Sequence, residues 1–312
     1  MKTPPSLADV GLALGVAYGL RTRPTVAVLA ALAVALHPAV IDVSALFGQY
    51  ESIYVLFGLG AFLLAVNGHP RLAAVALGLA LMTKPQALPF VAPFAAWSLA
   101  TLGWRETARL FGIGLAVVAI VWLPFIPFGG PAGYLRSIEA HQNDLFAVLS
   151  LRAWNPWWIL QSSAGGDFLG DSTAILGPLT PRHLGLIAFG LLEVLVIALV
   201  LRRPTPTVLA WALAASSIAA FLALTTMHER YAYPVLVFLA LAFPDRRAVA
   251  LWIAFGVVFT INLVAAVPPS DAIGELLPVG GILGLAGSVA MTAIGVATFV
   301  EFRRAARRDN GP

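Results

Sequence analysis

Residues 185–201 read GLIAFGLLEVLVIALVL, residues 202–205 read RRPT, and residues 206–224 read PTVLAWALAASSIAAFLAL. Two apolar runs flank a pair of arginines, and Glu193 is the only acid within them. A run of roughly twenty apolar residues is long enough to cross the hydrocarbon core as a helix. In lipid the backbone has no water to bond, so a helix, whose hydrogen bonds are internal, is the form expected.

The same grammar extends outward in both directions. Apolar runs near 7–20, 25–43, 51–66, 71–83, 86–101, 110–127, 185–201, 206–224, 231–243, 247–267 and 278–300 give about eleven spans. Several are short enough to be tilted, broken or re-entrant. The chain is 60% hydrophobic and 11% charged, against roughly 45–50% and 25% in soluble domains. Its mean hydropathy is +0.89. The expected fold is therefore all-α, a polytopic transmembrane helix bundle forming one domain over 1–312, with no repeat of the solenoid kind. The net charge of +4 and pI near 9.8 do not point to nucleic acid, because the bases stand singly or in pairs between apolar runs. The absence of cysteine excludes disulfides, thiolate metal sites and cysteine nucleophiles.

The bases set the orientation. Arg21 and Arg23, Arg71, Arg105 and Arg109, Arg202 and Arg203, Arg246 and Arg247, and Arg303 to Arg308 fall in alternate connections and in the tail. Such connections stay cytoplasmic, which makes 301–312 a basic cytoplasmic tail. Residues 42–51, 84–86, 128–184, 225–231 and 268–277 then lie outside, and membrane lipid surrounds the rest. Met1 also falls outside, and the first segment has no cleavable-signal pattern. The expectation is an N-terminally shortened form of a larger membrane protein.

The exterior segments hold the candidate site. Gly48-Gln49-Tyr50-Glu51-Ser52 opens the third span, where Gln49 and Glu51 offer hydrogen bonds at the interface; a snorkelling or base-paired glutamate is the plainer reading. Thr83-Lys84-Pro85-Gln86 breaks an apolar run. Pro85 frees carbonyls there, and Lys84 becomes a point charge suited to phosphate, or else a snorkelling anchor. Met227-His228-Glu229-Arg230-Tyr231 is the densest ionisable cluster near a membrane face. In a helix His228 and Tyr231 would share a face, with Glu229 about 100° away; a solvated Arg–Glu pair is the alternative.

The connection from Phe128 to Leu184 exceeds the usual loop length and is expected to be functional or a small domain. It carries Trp154-Asn155-Pro156-Trp157-Trp158, which suits either sugar recognition or an interfacial aromatic belt. Ser162, Ser163, Gly165, Gly166 and Asp167 form a turn-rich stretch without a nucleophile motif. His37, His69, His141 and His183 show no ligand spacing, so no metal or other cofactor is assigned; the sequence does not decide whether a divalent metal is required.

Taken in chain order, His37-Pro38-Ala39-Val40, Gly48-Gln49-Tyr50-Glu51-Ser52, Leu81-Met82-Thr83-Lys84-Pro85-Gln86, Ala153-Trp154-Asn155-Pro156-Trp157 and Met227-His228-Glu229-Arg230-Tyr231 resemble motifs of the integral-membrane GT-C glycosyltransferases. The likeness is to a bacterial relative of the PIG-M-like mannosyltransferase group and covers roughly residues 3–245. It implies transfer of a sugar, by this group mannose, from a polyprenyl-phosphate carrier to a glycan, lipid or protein acceptor at the extracytoplasmic face of a plasma membrane. It implies a donor and substrate site drawn from Gln49, Glu51, Lys84, Gln86, Asn155, Trp157, His228, Glu229, Arg230 and Tyr231. The family's catalytic aspartate lies in a first exterior loop that this chain does not contain, and Asp9, inside an apolar run, does not replace it. The catalytic residue is thus unassigned.

Charge and topology add one expectation. Lys84 and Arg230 should line one cavity suited to a lipid phosphate, with Glu229 orienting a base and the tryptophans near the rim. Two other classes stay open. A polysaccharide polymerase or ligase would rely on exterior arginines, and a transporter would show internal repeats and mid-membrane charges. A non-catalytic remnant is a third reading.

Overall fold

A computed structural model describes residues 2–140, 147–163, 169–175 and 177–307. His141, Gly165, Gly166, Asp167 and the tail beyond Arg307 lie outside the described residues. The first half runs α1 (Thr3–Gly19), α2 (Pro24–Ala35), α3 (Pro38–Ile41), α4 (Glu51–Val66), α5 (Pro70–Thr83), α6 (Val91–Leu102), α7 (Trp104–Trp122) and α8 (Gly130–Ala140). A π turn covers Asp42–Leu46, and 3-10 turns cover Pro85–Phe90 and Leu123–Phe128. The second half runs β1 (Ser150–Leu151), α9 (Pro156–Ser162), α10 (Pro181–Arg202), α11 (Pro206–Ala223), β2 (Met227–His228), a 3-10 turn (Glu229–Ala232), α12 (Pro234–Ala240), α13 (Arg246–Ala266), α14 (Asp271–Leu276) and α15 (Gly281–Arg307).

Proline sets many of the helix starts. Pro24, Pro38, Pro70, Pro156, Pro181, Pro206 and Pro234 each open a helix, where the missing N–H is not needed and φ is already helical. Thr180, Thr205 and Ser270 cap the helices that follow them, each satisfying a free backbone N–H.

The chain is a helical membrane protein. Among the described residues, five helices are long and apolar enough to cross a membrane: 104–128, 181–202, 206–223, 246–266 and 281–307. A sixth span results if Pro24–Ala35 and Pro38–Leu46 are one unit, bent by 47°. The expected count of about eleven is not reached by this criterion. Each predicted run is helical over most of its length, but proline and turn residues cut several into short pieces. The run at 86–101 opens on the Pro85–Phe90 turn and leaves a helix of 12 residues. The run at 231–243 is divided between a 3-10 turn and the 7-residue α12.

α11 forms the centre, with 83% of its apolar window buried, whereas α7 at the periphery has 6%. Its alanine- and serine-rich surface lets neighbouring helices approach closely, as small residues do in membrane bundles. Phe221, Phe238, Phe255 and Phe259 fill the spaces between.

The connections sort to two ends. At one, Arg21 bonds Asn67 at 2.9 Å, Arg71 pairs with Glu106 at 3.4 Å, Arg203 donates to the Ala305 carbonyl at 3.1 Å, and Arg247 pairs with Glu301 at 3.3 Å. At the other, the 42–51, 84–86, 147–163, 225–231 and 268–280 segments meet.

Within the long connection, β1 pairs in parallel with β2, Ser150 opposite Met227 and Leu151 opposite His228. Thr226, with φ of 59°, donates its backbone N–H to Leu149 at 3.1 Å. Buried Asp171 accepts two bonds from Arg182 at 2.9 Å and one from Thr225 at 2.8 Å. The connection is thus tied directly to the 225–231 segment.

Candidate functional site

Residues 225–231 are not the start of a helix. The pairing of 227–228 with β1 holds the backbone extended, and a single 3-10 turn follows. His228 and Tyr231 still meet edge to face, with ring centroids 5.1 Å apart. The extended entry lets Glu229 and Arg230 both point inward, which a regular helix would prevent.

Arg230 there meets residues from two other elements. Glu51, first residue of α4, is fully buried. One of its oxygens, Oε1, pairs with Lys84 Nζ and also with Arg230 Nε at 3.1 Å. Arg230 Nη1 pairs with Glu229 Oε1 at 2.8 Å, and the opposite oxygen of Glu229 lies 3.6 Å from His228 Nδ1. Lys84 and Arg230 both stand over the Tyr231 ring, at 5.1 and 5.4 Å from its centroid. The Gln86 side chain lies beside the Tyr231 hydroxyl. Lys84 reaches this position because Pro85 ends α5 and the Lys84 backbone turns extended.

The electrostatics are those of a nearly dry cluster. Burial holds Lys84 below the ordinary lysine range, with Glu51 opposing that shift. Burial alone would raise Glu229, but the neighbouring His228 ring and the charge of Arg230 more than offset it and leave its pKa lowered. The two cations are oriented by their partners on a shared carboxylate, so an anion bound here would compete with Glu51 for charge-assisted bonds.

Buried hydrogen-bonding groups without a partner gather here as well. Asp42 Oδ2, Glu51 Oε2, Tyr54 OH and Gln86 Oε1 are buried and make no hydrogen bond within the described residues. A folded protein rarely leaves such groups idle, and each one asks for a physical explanation. Asp42 belongs to the π turn and stands near enough to Glu229 for their charges to repel. Beneath Glu51, Asp9 accepts from the Tyr233 hydroxyl at 2.8 Å and from Ser44 at 3.0 Å, while Ser52 donates to the Pro5 carbonyl at 2.9 Å.

The structure thus brings together Glu51, Lys84, Gln86, His228, Glu229, Arg230 and Tyr231. The common anion of the two cations is Glu51, a role the sequence suggested for Glu229. Gln49 lies in the turn before α4, its backbone N–H bonded to Val43 at 2.9 Å.

Asn155 and Trp157 are engaged elsewhere. Asn155 caps α9 and donates to the Phe221 carbonyl at 3.0 Å, and the Trp157 indole donates to the Ala223 carbonyl at 2.8 Å. Trp154 and Trp158 both donate to the Val279 carbonyl, at 2.9 and 3.0 Å. Trp154 and Asn155 are buried, so they brace the connection against α11 and the segment before α15 and do not stand at a rim. A β-carbon at Gly287 would lie 2.0 Å from Trp154 Cε3, which shows how closely that indole is seated.

Asp42, Tyr54 and Tyr233 were not singled out from sequence. Asp42 had one legible signal, an acid at the mouth of a span; Tyr54 and Tyr233 had none, since tyrosine in an apolar run reads as core. Among the described residues no group of three or more His, Asp or Glu is arranged to hold a metal ion. No family model matches the chain, and no curated protein matches it in sequence.

Proposed function

We propose that this chain belongs to a membrane glycosyltransferase that moves a sugar, by resemblance mannose, from a polyprenyl-phosphate donor to a glycan, lipid or protein acceptor. One observation carries the reading. Lys84 and Arg230, from motifs far apart in sequence, converge on one buried carboxylate beside four idle hydrogen-bonding groups. A phosphate linked to a polyol needs both features, cations for the one and open acceptors for the other.

In this reading Lys84 and Arg230 hold the phosphate and stabilise the charge that develops as it leaves the anomeric carbon. Such fixed electrostatic stabilisation is commonly the largest contribution to steps of this kind. Gln86, Tyr54 and the free oxygen of Glu51 are placed to take sugar hydroxyls. The acceptor hydroxyl attacks the anomeric carbon in a single inverting displacement, and the base that takes its proton is not assigned. The proposed orientation puts this end of the bundle outside a bacterial plasma membrane and the C-terminus in the cytoplasm. The shorter helices complete the span count with about eleven crossings.

The test is direct labelling, which does not require turnover. A photoreactive polyprenyl-phosphate mannose should crosslink within residues 49–54, 84–86 or 228–231 of the folded protein. Lys84→Gln and Arg230→Gln should each reduce labelling per folded molecule by roughly ten- to a hundred-fold, the loss of one charge-assisted bond to phosphate. Labelling that is unchanged, or that maps away from these segments, would reject the proposal.

A further inference from the structure

The phosphate reading leaves one problem, because Glu51 already occupies the place of the anion. Its Oε1 pairs with both Lys84 and Arg230, the two groups a phosphate would engage. Its side chain is 0% exposed, so it cannot swing into water when displaced.

The charges of the cluster already balance without a ligand. The two carboxylates Glu51 and Glu229 match the two cations Lys84 and Arg230 in number, and Asp42, beside Glu229, brings no positive charge. A phosphodiester adds one negative charge to a cluster whose side chains are at most 19% exposed. An ionised Glu51 would then lose its cations to the phosphate and face a second anion across a dry site. Desolvation and a neighbouring like charge both disfavour the ionised carboxylate, and an unpaired buried charge is neutralised where it can be. One proton restores the balance. Glu51 is the seat for it, because it is the carboxylate that shares both cations with the incoming phosphate, and its Oε2 has no hydrogen-bond partner.

We propose that anion binding between Lys84 and Arg230 is coupled to protonation of Glu51, so that the site takes a singly charged phosphodiester together with one proton. The proton comes from solvent and forms an O–H bond at Oε2. The neutral acid then donates to the phosphate or to a sugar hydroxyl, where the ionised form could only repel the one and accept from the other. This inference rests on the phosphate reading above.

Other titratable groups face Glu51 and must be separated from it. Glu229, His228 and Tyr231 come from the 228–231 turn, Asp42 from the π turn, Tyr54 from α4 itself, Tyr233 from the start of α12, and Asp9 from α1. Asp9 is engaged by Tyr233 and Ser44, and His228 by Glu229.

The experiment uses the full chain in lipid nanodiscs and farnesyl methyl phosphate, a phosphodiester whose single charge does not titrate near neutrality. Titration calorimetry in buffers of different ionisation enthalpy counts the protons taken up. The wild type should take up about one proton per ligand near neutral pH, and over that range its affinity should fall about tenfold per pH unit, below the pH at which Lys84 itself titrates. Glu51→Gln should bind at least as tightly near neutral pH, with uptake abolished and no such pH dependence over the same range.

Binding by the wild type without uptake, or equal uptake by Glu51→Gln, would overturn the coupling and leave the phosphate site standing. Failure of both folded proteins to bind would remove the phosphate reading, and the coupling with it. If Glu51→Gln does not fold, infrared difference spectra decide. A protonated-carboxyl band that appears with ligand and survives in Asp9→Asn, Asp42→Asn and Glu229→Gln supports the assignment; no band, or its loss in any of these variants, overturns it.

Discussion

Replacing Lys84 by methionine should destabilise the protein, and replacing Glu51 by glutamine at the same time should restore most of the loss. The magnitude comes from the charges of the cluster. Lys84→Met leaves Glu51, Glu229 and Arg230, a net charge of minus one, and Glu51 is fully buried. Breaking a buried ion pair from one side costs roughly 3–5 kcal/mol. Arg230 remains on Glu51 at 3.1 Å, and the Lys84 side chain keeps 17% of its exposure, so the lower end applies. About 3 kcal/mol corresponds to roughly a hundredfold change in the folding equilibrium. Glu51→Gln alone leaves plus one and should cost a similar amount. The double variant returns the cluster to zero, with Arg230 still on Glu229 at 2.8 Å, and a neutral replacement of a buried pair is often tolerated. Unfolding in mixed micelles titrated with SDS measures all four proteins. The coupling should offset at least half of the summed single losses. A double variant as unstable as the two singles added together would refute the reasoning, because additivity means that the side chains do not sense one another.

Asp171→Asn should cost about 2–3 kcal/mol, since it removes a charge-assisted pair with Arg182. Amide exchange should rise at 147–153 and 225–228, and unchanged protection there would show that Asp171 does not tie the connection to the site. The carboxyl of Glu229 is held below its ordinary value, so its ionised form stabilises the fold above the usual carboxylate range of about 4.3 and loses that effect as pH falls through the lowered value. The stability difference between wild type and Glu229→Gln should therefore narrow toward acid pH; widening there would contradict the assignment. For orientation, cysteines at Ser163 and Ser270 should label from outside intact cells and one at Arg246 only after permeabilisation. The opposite pattern would invert the proposed topology.

The membrane class and the helical runs were legible in the sequence. Each depends on hydropathy or charge summed over neighbouring residues, and solvent acts on those sums whatever the tertiary contacts. The motifs were legible for a related reason: a charge such as Lys84 or Glu229 beside hydrocarbon is costly and stands out. Roles were not legible. Trp154, Asn155 and Trp157 were equally suited to a sugar or to a membrane belt, and only their carbonyl partners on α11 and before α15 show them bracing the fold. The extended backbone at 227–228 depends on pairing with 150–151, which local helix signals could not reveal. Glu51 was an ordinary acid at a helix start until Lys84 and Arg230 arrived on the same oxygen. Those contacts form between segments remote in the chain, and burial then multiplies their energy because the dielectric falls. The sequence by itself determined which groups sit at the membrane face; the tertiary structure decided which of them share a charge.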